Sequence, residues 1–208
     1  MNIREIAGLT PVMALLTITE LEHAVPLARA LTAGGLRVME IEFRTPVALA
    51  AIEAMRKSVP DAVIGAGALT RAIDFAAAGR VGAQFGVTPG LTPELAAAAR
   101  GARFPVLPAI MTPTELTAAR HAGFNVLRLF PAQQAGGAGM VRAMAEQFPD
   151  ALFCPAGGIT NATAAEYLAL PSVLCVAGSW VAPASMQAAG DWAGIEALAR
   201  GAAALRRT

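Results

Sequence analysis

Three ionisable residues spaced two apart, Glu40, Glu42 and Arg44, lie in the stretch Val38-Met39-Glu40-Ile41-Glu42-Phe43-Arg44. Successive strand residues face opposite sides, so these three share one face with Val38, while Arg37, Met39, Ile41 and Phe43 share the other. A fourth charge, Arg128, interrupts the apolar run Asn125–Phe130 on the same side as Val126 and Phe130, opposite Leu127 and Leu129. Two carboxylates and two guanidiniums inside a fold are costly unless they pair or meet a ligand. They could form a network that only balances itself. They could instead grip an anion and move a proton, since neighbouring carboxylates can be driven to different pKa values and serve as base and acid. The carboxylates could equally hold a divalent cation, although no His or Asp motif backs that arrangement.

A second group of residues suits phosphate. Pro155-Ala156-Gly157-Gly158-Ile159-Thr160 and Ala177-Gly178-Ser179-Trp180 each follow an apolar run and precede helical sequence. Gly157, Gly158 and Gly178 would let backbone N–H groups approach an anion closely, and Ser179 adds a hydroxyl donor. A tight turn is the plainer reading of either loop alone.

Elements must position these residues, and the chain supplies a repeating pattern: a short apolar run, a Gly- or Pro-marked turn, then an Ala-rich amphipathic segment. The apolar runs are Pro11–Leu16, Leu36–Phe43, Ala62–Ala66, Ala83–Val87, Pro105–Ile110, Asn125–Phe130, Ala151–Pro155 and Val173–Ala177. The pattern predicts helices over about 19–34, 46–58, 70–79, 91–100, 112–122, 137–147, 161–169 and 191–206. Thr112-Pro113-Thr114-Glu115 reads as a capping box with Pro at the first helical position, and Thr92-Pro93-Glu94 opens its helix similarly. Strands alternating with helices imply a parallel sheet with helices outside. Eight such units close most naturally into an α/β (β/α)₈ TIM barrel, a single domain over 1–208 with a short N-terminal helix. A doubly wound open sheet would usually carry a glycine-rich loop after its first strand, and Leu16-Thr17-Ile18-Thr19 is not one. In a barrel, Glu40, Glu42 and Arg44 climb toward the C-terminal mouth, where barrel enzymes keep their sites.

Composition excludes several classes. Sixteen basic and fifteen acidic residues leave a net charge of +1, no footprint for nucleic acid or an anionic membrane. No apolar run approaches the roughly 20 residues of a membrane helix, and the charged N-terminus lacks a secretory core, so a cytoplasmic protein is expected. Cys154 and Cys175 sit inside apolar runs and read as small core residues rather than a disulfide or metal pair. His23 and His121 stand apart in helical segments and read as packing or surface residues.

Several motifs together resemble the keto-deoxy-phosphogluconate/keto-hydroxyglutarate (KDPG/KHG) aldolases over nearly the whole chain. They are Leu21-Glu22-His23-Ala24-Val25-Pro26, Glu40 through Arg44-Thr45, Gly65-Ala66-Gly67, Thr88-Pro89-Gly90, Leu129-Phe130-Pro131-Ala132, Phe153–Ile159 and Gly178-Ser179-Trp180. The resemblance implies a homotrimer of barrels that cleaves a 2-keto acid, phosphorylated or 4-hydroxy-2-oxoglutarate, to pyruvate and an aldehyde through a lysine imine. It implies Glu40 as general acid/base, Arg44 as carboxylate grip, Pro89 and Phe130 as pocket walls, and Gly157, Gly158, Gly178 and Ser179 as phosphate site. Arg128 stands where the imine lysine belongs. Ala68 and Ala156 stand where threonines are usual, Ala14 for a proline, Ala109 for a glycine, Gln133 for a glutamate, and Glu42 for a small or hydroxyl residue.

A guanidinium cannot lose its proton to become an amine nucleophile at neutral pH. The chain's one lysine, Lys57, lies in the polar helical stretch Arg56-Lys57-Ser58, away from the active face. Three functions therefore stand. The first is imine-free chemistry on a small 2-keto acid, with Glu40 and Glu42 as proton carriers and Arg128 as a fixed donor. The second is a silent anion-binding barrel or scaffold, and the third a feeble aldolase. No cofactor is implied apart from the divalent cation already weighed.

Overall fold

The computed structural model describes residues 1–205, over which strands and helices alternate. The strands are β1 (Val12–Leu16), β2 (Val38–Glu42), β3 (Val63–Gly67), β4 (Gly86–Thr88), β5 (Val106–Ile110), β6 (Val126–Leu129), β7 (Leu152–Phe153) and β8 (Val176–Gly178). The helices are α1 (Ile3–Ala7), α2 (Leu21–Ala33), α3 (Ala48–Ser58), α4 (Ala72–Arg80), α5 (Pro93–Gly101), α6 (Pro113–His121), α7 (Gly137–Gln147), α8 (Ala164–Leu168), α9 (Ala184–Ala189) and α10 (Trp192–Ala203). Neighbouring strands pair in parallel in the order β7-β6-β5-β4-β3-β2-β1-β8, a curled sheet flanked by helices in the manner of a TIM-like α/β fold. Isolated parallel bridges, Phe153 to Val173 and Ala156 to Ala177, link the two ends. There the Leu174 N–H donates to the Phe153 carbonyl at 2.9 Å, and the Ala177 N–H to the Pro155 carbonyl at 2.8 Å.

Local chemistry explains where helices begin. Thr112 and Glu115 form the expected capping box, with the Glu115 N–H donating to Thr112 Oγ1 at 3.2 Å and the Thr112 N–H to Glu115 Oε2 at 2.8 Å. Thr92 accepts from the Leu95 N–H at 3.2 Å. Such caps contribute about 1 kcal/mol each. A similar box, Asn2 with Glu5, starts α1. Ile6 and Ala7 of α1 then join the inner apolar cluster of Met13, Val38, Phe85 and Val126, so the short N-terminal helix packs against the sheet's inner face. Met39, Ile41, Leu127 and Leu129 belong to a second cluster shared with the flanking helices. Alternation thus sorts β2 and β6 as the sequence implies.

The strand at 151–155 and the helix at 161–169 are shorter than the pattern predicts, and the strand at 173–177 shifts to Val176–Gly178. Pro155 carries no N–H to donate to a ladder, which accounts for the early end of β7. The repeating pattern does not predict α9, and the helix expected over 191–206 runs Trp192–Ala203, its final predicted residue lying outside the described residues. Among the described residues, no helix is long and apolar enough to cross a membrane.

Candidate active site

β2 and β6 lie on different parts of the sheet, yet their inward faces bring Glu40 and Arg128 together. Arg128 Nη1 approaches Glu40 Oε2 at 2.7 Å, with the two side chains 5 % and 2 % exposed. Among the described residues, Glu40 Oε2 and Arg128 Nε each lack a well-aligned hydrogen-bond partner, so the contact is chiefly an ion pair. Burial pushes the Glu40 carboxyl above the usual carboxylate range, against the lowering pull of Arg128; Glu42 adds to the rise and Arg44 opposes it. Burial also opposes the Arg128 charge, but the neighbouring Glu40 carboxyl, with Cys154 adding to it, prevails and holds the guanidinium protonated. One partner is thus pressed toward neutrality while the other stays charged. A guanidinium does not surrender its proton in this range, so the carboxyl is the group that can move one.

One glycine of β3 makes room for this pair and another for a neighbouring ring. A Cβ on Gly67 would come within 2.3 Å of Glu40 Oε1, so β3 must be bare where Glu40 lies across it. A Cβ on Gly65 would strike the Phe85 ring at 2.4 Å. Immediately after β3, Ala68 adopts a left-handed φ of 56°, a strained conformation for a residue with a Cβ.

Above the buried pair, Glu42 and Arg44 sit at the mouth. Arg44 Nε lies 3.1 Å from Glu42 Oε1, with side-chain exposures of 60 % and 14 %. Thr17 Oγ1 donates to Glu42 Oε2 at 2.7 Å. The expectation of four interior charges is therefore corrected to two inside and two at the rim. β2 ends at Glu42, and the Arg44 N–H turns back to the Glu42 carbonyl at 2.8 Å, so alternation no longer governs where Arg44 points.

Glu40, Glu42, Arg44, Ala68, Pro89, Arg128, Phe130 and Ala156 all line one pocket, whose volume is about 30 Å³. That is room for little more than a water molecule. Leu15 and Val87 also line it and were not singled out in the sequence. Their phase with inward Met13 and Phe85 was the available signal.

Comparison with known proteins agrees with this architecture. A family model described as KDPG and KHG aldolase matches residues 3–198. The chain belongs to the KDPG and KHG aldolase family. It is 45 % identical to the 2-dehydro-3-deoxy-phosphogluconate aldolase of Dickeya dadantii over 194 residues, covering 93 % of this chain and 91 % of that one. It is 44 % identical to the KHG/KDPG aldolase of Escherichia coli K12 over 190 residues, 91 % and 89 % of the two chains. The 2-keto-3-deoxy-6-phosphogluconate aldolase of Zymomonas mobilis ATCC 29191 superposes with a TM-score of 0.95 at 41 % identity, covering 100 % of this chain and 99 % of that one. A KDPG aldolase from Legionella pneumophila, solved with pyruvate captured as a covalent carbinolamine, superposes with a TM-score of 0.94 at 38 % identity, covering 97 % and 98 %.

Within this family frame the remaining sequence-marked residues fall into place or out of it. The Ala156–Ala177 bridge sets Gly157 beside Gly178 at the mouth, with Ser179 and Gly158 exposed there. Gly157 and Gly158 have φ of 95° and 73°, conformations that favour glycine. A Cβ on Gly178 would overlap the Trp180 ring, so the half-buried Trp180 covers one side of that glycine. Gln133 is at the rim, where its Oε1 accepts from Tyr167 Oη at 3.0 Å. Ala109 pairs in register with Arg128. Ala14 packs in the outer cluster with the helices, so this change lies away from the pocket. Lys57 is exposed on α3, paired with Glu53 at 2.6 Å. His23 packs edge-on to Trp192, and His121 is exposed.

Proposed function

We propose that this chain binds a small, phosphorylated 2-keto acid at the mouth pocket and acts on it without an imine. The supporting observation is the convergence of Glu40, Glu42, Arg44 and Arg128 on one pocket of a KDPG/KHG-type barrel. Arg44, exposed at the rim, would grip the ligand carboxylate; Gly157, Gly158, Gly178 and Ser179 would hold phosphate through N–H and hydroxyl donors. Pro89, Phe130, Ala68 and Ala156 would form the walls. Glu40 is the proton carrier of this reading, because burial raises its pKa and favours the protonated form, while Arg128 cannot release a proton. Arg128 is a fixed cation that would stabilise an enolate oxygen.

The Legionella relative holds pyruvate covalently, a bond that requires an amine nitrogen; Arg128 offers none in usable form and Lys57 is remote. Glu42 would assist Glu40 or, less favourably, join it around a divalent cation. The closed single-domain barrel and homotrimer implied by the resemblance belong to this reading. A second reading, a silent barrel that still binds anions, draws on the 2.7 Å Glu40–Arg128 pair and the small pocket, which together leave the reacting position occupied by the protein itself.

Incubating the chain with 2-keto-3-deoxy-6-phosphogluconate separates the readings. Pyruvate release that borohydride does not quench, and that falls in Glu40→Gln, supports imine-free chemistry. Ligand-dependent stabilisation without product supports the silent barrel. Absence of both overturns the assignment of this ligand class.

A further inference from the structure

Beneath the pocket lies a sulfur cluster that the proposed chemistry leaves unused. Cys154 follows β7 and Cys175 precedes β8; both side chains are buried on the inner face of the sheet. Their Sγ atoms lie 3.1 Å apart, both as thiols. Arg128 Nη2 sits 3.9 Å from Cys154 Sγ and 3.4 Å from Met13 Sδ. Cys154 is thus bracketed by a second thiol and a permanent cation. Those two neighbours, Cys175 first and Arg128 after it, lower the Cys154 pKa despite burial.

The location is mechanically significant. β7 has two residues, and the β7–β8 seam is joined through isolated bridges instead of a continuous ladder. Neighbouring strands lie about 4.8 Å apart, within the span a disulfide bridges, so little backbone movement is needed to close the two sulfurs.

We propose that Cys154 and Cys175 are a redox-modifiable pair, closing to a disulfide that staples the β7–β8 seam when a peroxide oxidises them. In the first step the Cys154 sulfur attacks one peroxide oxygen and the O–O bond breaks. Cys154 becomes a sulfenic acid, and the thiol proton leaves with the departing hydroxide as water. In the second step the Cys175 sulfur attacks the Cys154 sulfur and the S–O bond breaks. A second water leaves, carrying the Cys175 proton. Two thiols and one hydrogen peroxide thus give one disulfide and two waters, the sulfurs losing the two electrons that the peroxide gains. Arg128 stabilises the thiolate form that performs the first attack. Arg128 both lines the pocket and contacts Cys154 Sγ, so hydrogen peroxide that enters the pocket comes within one side chain of the thiol.

The test treats the reduced full chain with hydrogen peroxide, then alkylates it in denaturant and maps the peptides by mass spectrometry. The expected result is loss of both thiols together and one Cys154–Cys175 cross-linked peptide. Dithiothreitol should reverse the change, and the oxidised form should melt several degrees higher. Cys175→Ser should remove the cross-link and the reversible rise in Tm, leaving Cys154 to proceed to sulfinic acid. Two unreacted thiols after methionine oxidation has begun would overturn the proposal, as would independent oxidation of each cysteine. These readouts do not depend on turnover, so the redox pair can stand or fall apart from the ligand assignment.

Discussion

Two Glu–Arg pairs lie in this pocket, their glutamates two residues apart on β2, and they differ in almost everything except composition. Glu40–Arg128 is sealed inside the barrel at 2.7 Å, while Glu42–Arg44 lies at the mouth at 3.1 Å with its arginine largely solvated. Water screens the outer pair, so its Coulomb gain is small and Arg44 can swing toward a ligand. The inner pair has lost its water, and each partner has become the other's main compensation. On the proposed reading, the same residue types would serve recognition at the rim and occupy the reacting position within.

The sharpest way to break this contrast is Arg128→Lys. It replaces the inner cation with an amine that can become nucleophilic when buried. Pyruvate release from 2-keto-3-deoxy-6-phosphogluconate should rise by on the order of 10³-fold or more, the scale on which a missing covalent nucleophile suppresses an enzyme. Borohydride should then trap an adduct. A lysine variant as quiet as the parent would mean that Ala68, Ala156 and Glu42 have remade the pocket as well.

Stability should separate the pairs next. Arg128→Met strands the Glu40 carboxyl and should lower unfolding free energy by about 3 kcal/mol at neutral pH, measured by urea denaturation. A carboxyl whose folded pKa is raised binds its proton more readily folded than unfolded. Its burial therefore costs nothing below the unfolded value near 4.5 and progressively more as pH rises through the folded value. The Arg128→Met deficit should accordingly shrink on acidification toward that lower limit. Adding Glu40→Gln should recover most of the deficit; a double mutant no better than the single would deny the coupling.

Arg44→Ala at the rim should change stability by less than about 1 kcal/mol. Its effect should appear in binding, as weaker thermal stabilisation by a 2-keto acid. A large loss of stability without loss of binding would reverse the roles given to the two pairs. The smallest effect belongs to Ala68, which lines the pocket that both pairs share. Ala68→Gly relieves the left-handed φ of 56° but adds unfolded-state entropy, leaving a net gain under about 1 kcal/mol by thermal melting.

Much of this arrangement was legible in the chain. Period-two alternation in β2 and β6 gave the inward faces of Glu40, Glu42 and Arg128, because a strand holds that period wherever its ladder is intact. Arg44 escaped the rule because it lies past the last ladder residue. β7 shortened because Pro155 carries no N–H for the ladder, and α8 starts late because Thr160 and Thr163 hold the preceding residues in a turn. Thr112 and Thr92 were readable because capping is settled within four residues.

The sequence by itself determined the alternating α/β plan, the absence of a usable amine at position 128, and the residues that gather at the mouth. Each follows from local periodicity or from the chemistry of one side chain. Only the tertiary structure decided that Glu40 meets Arg128 rather than Arg44, that Gly67 must be bare to admit Glu40, and that Cys154 faces Cys175 across the seam. Those contacts join residues from different strands, and their distances depend on how the sheet curls, which no local pattern encodes.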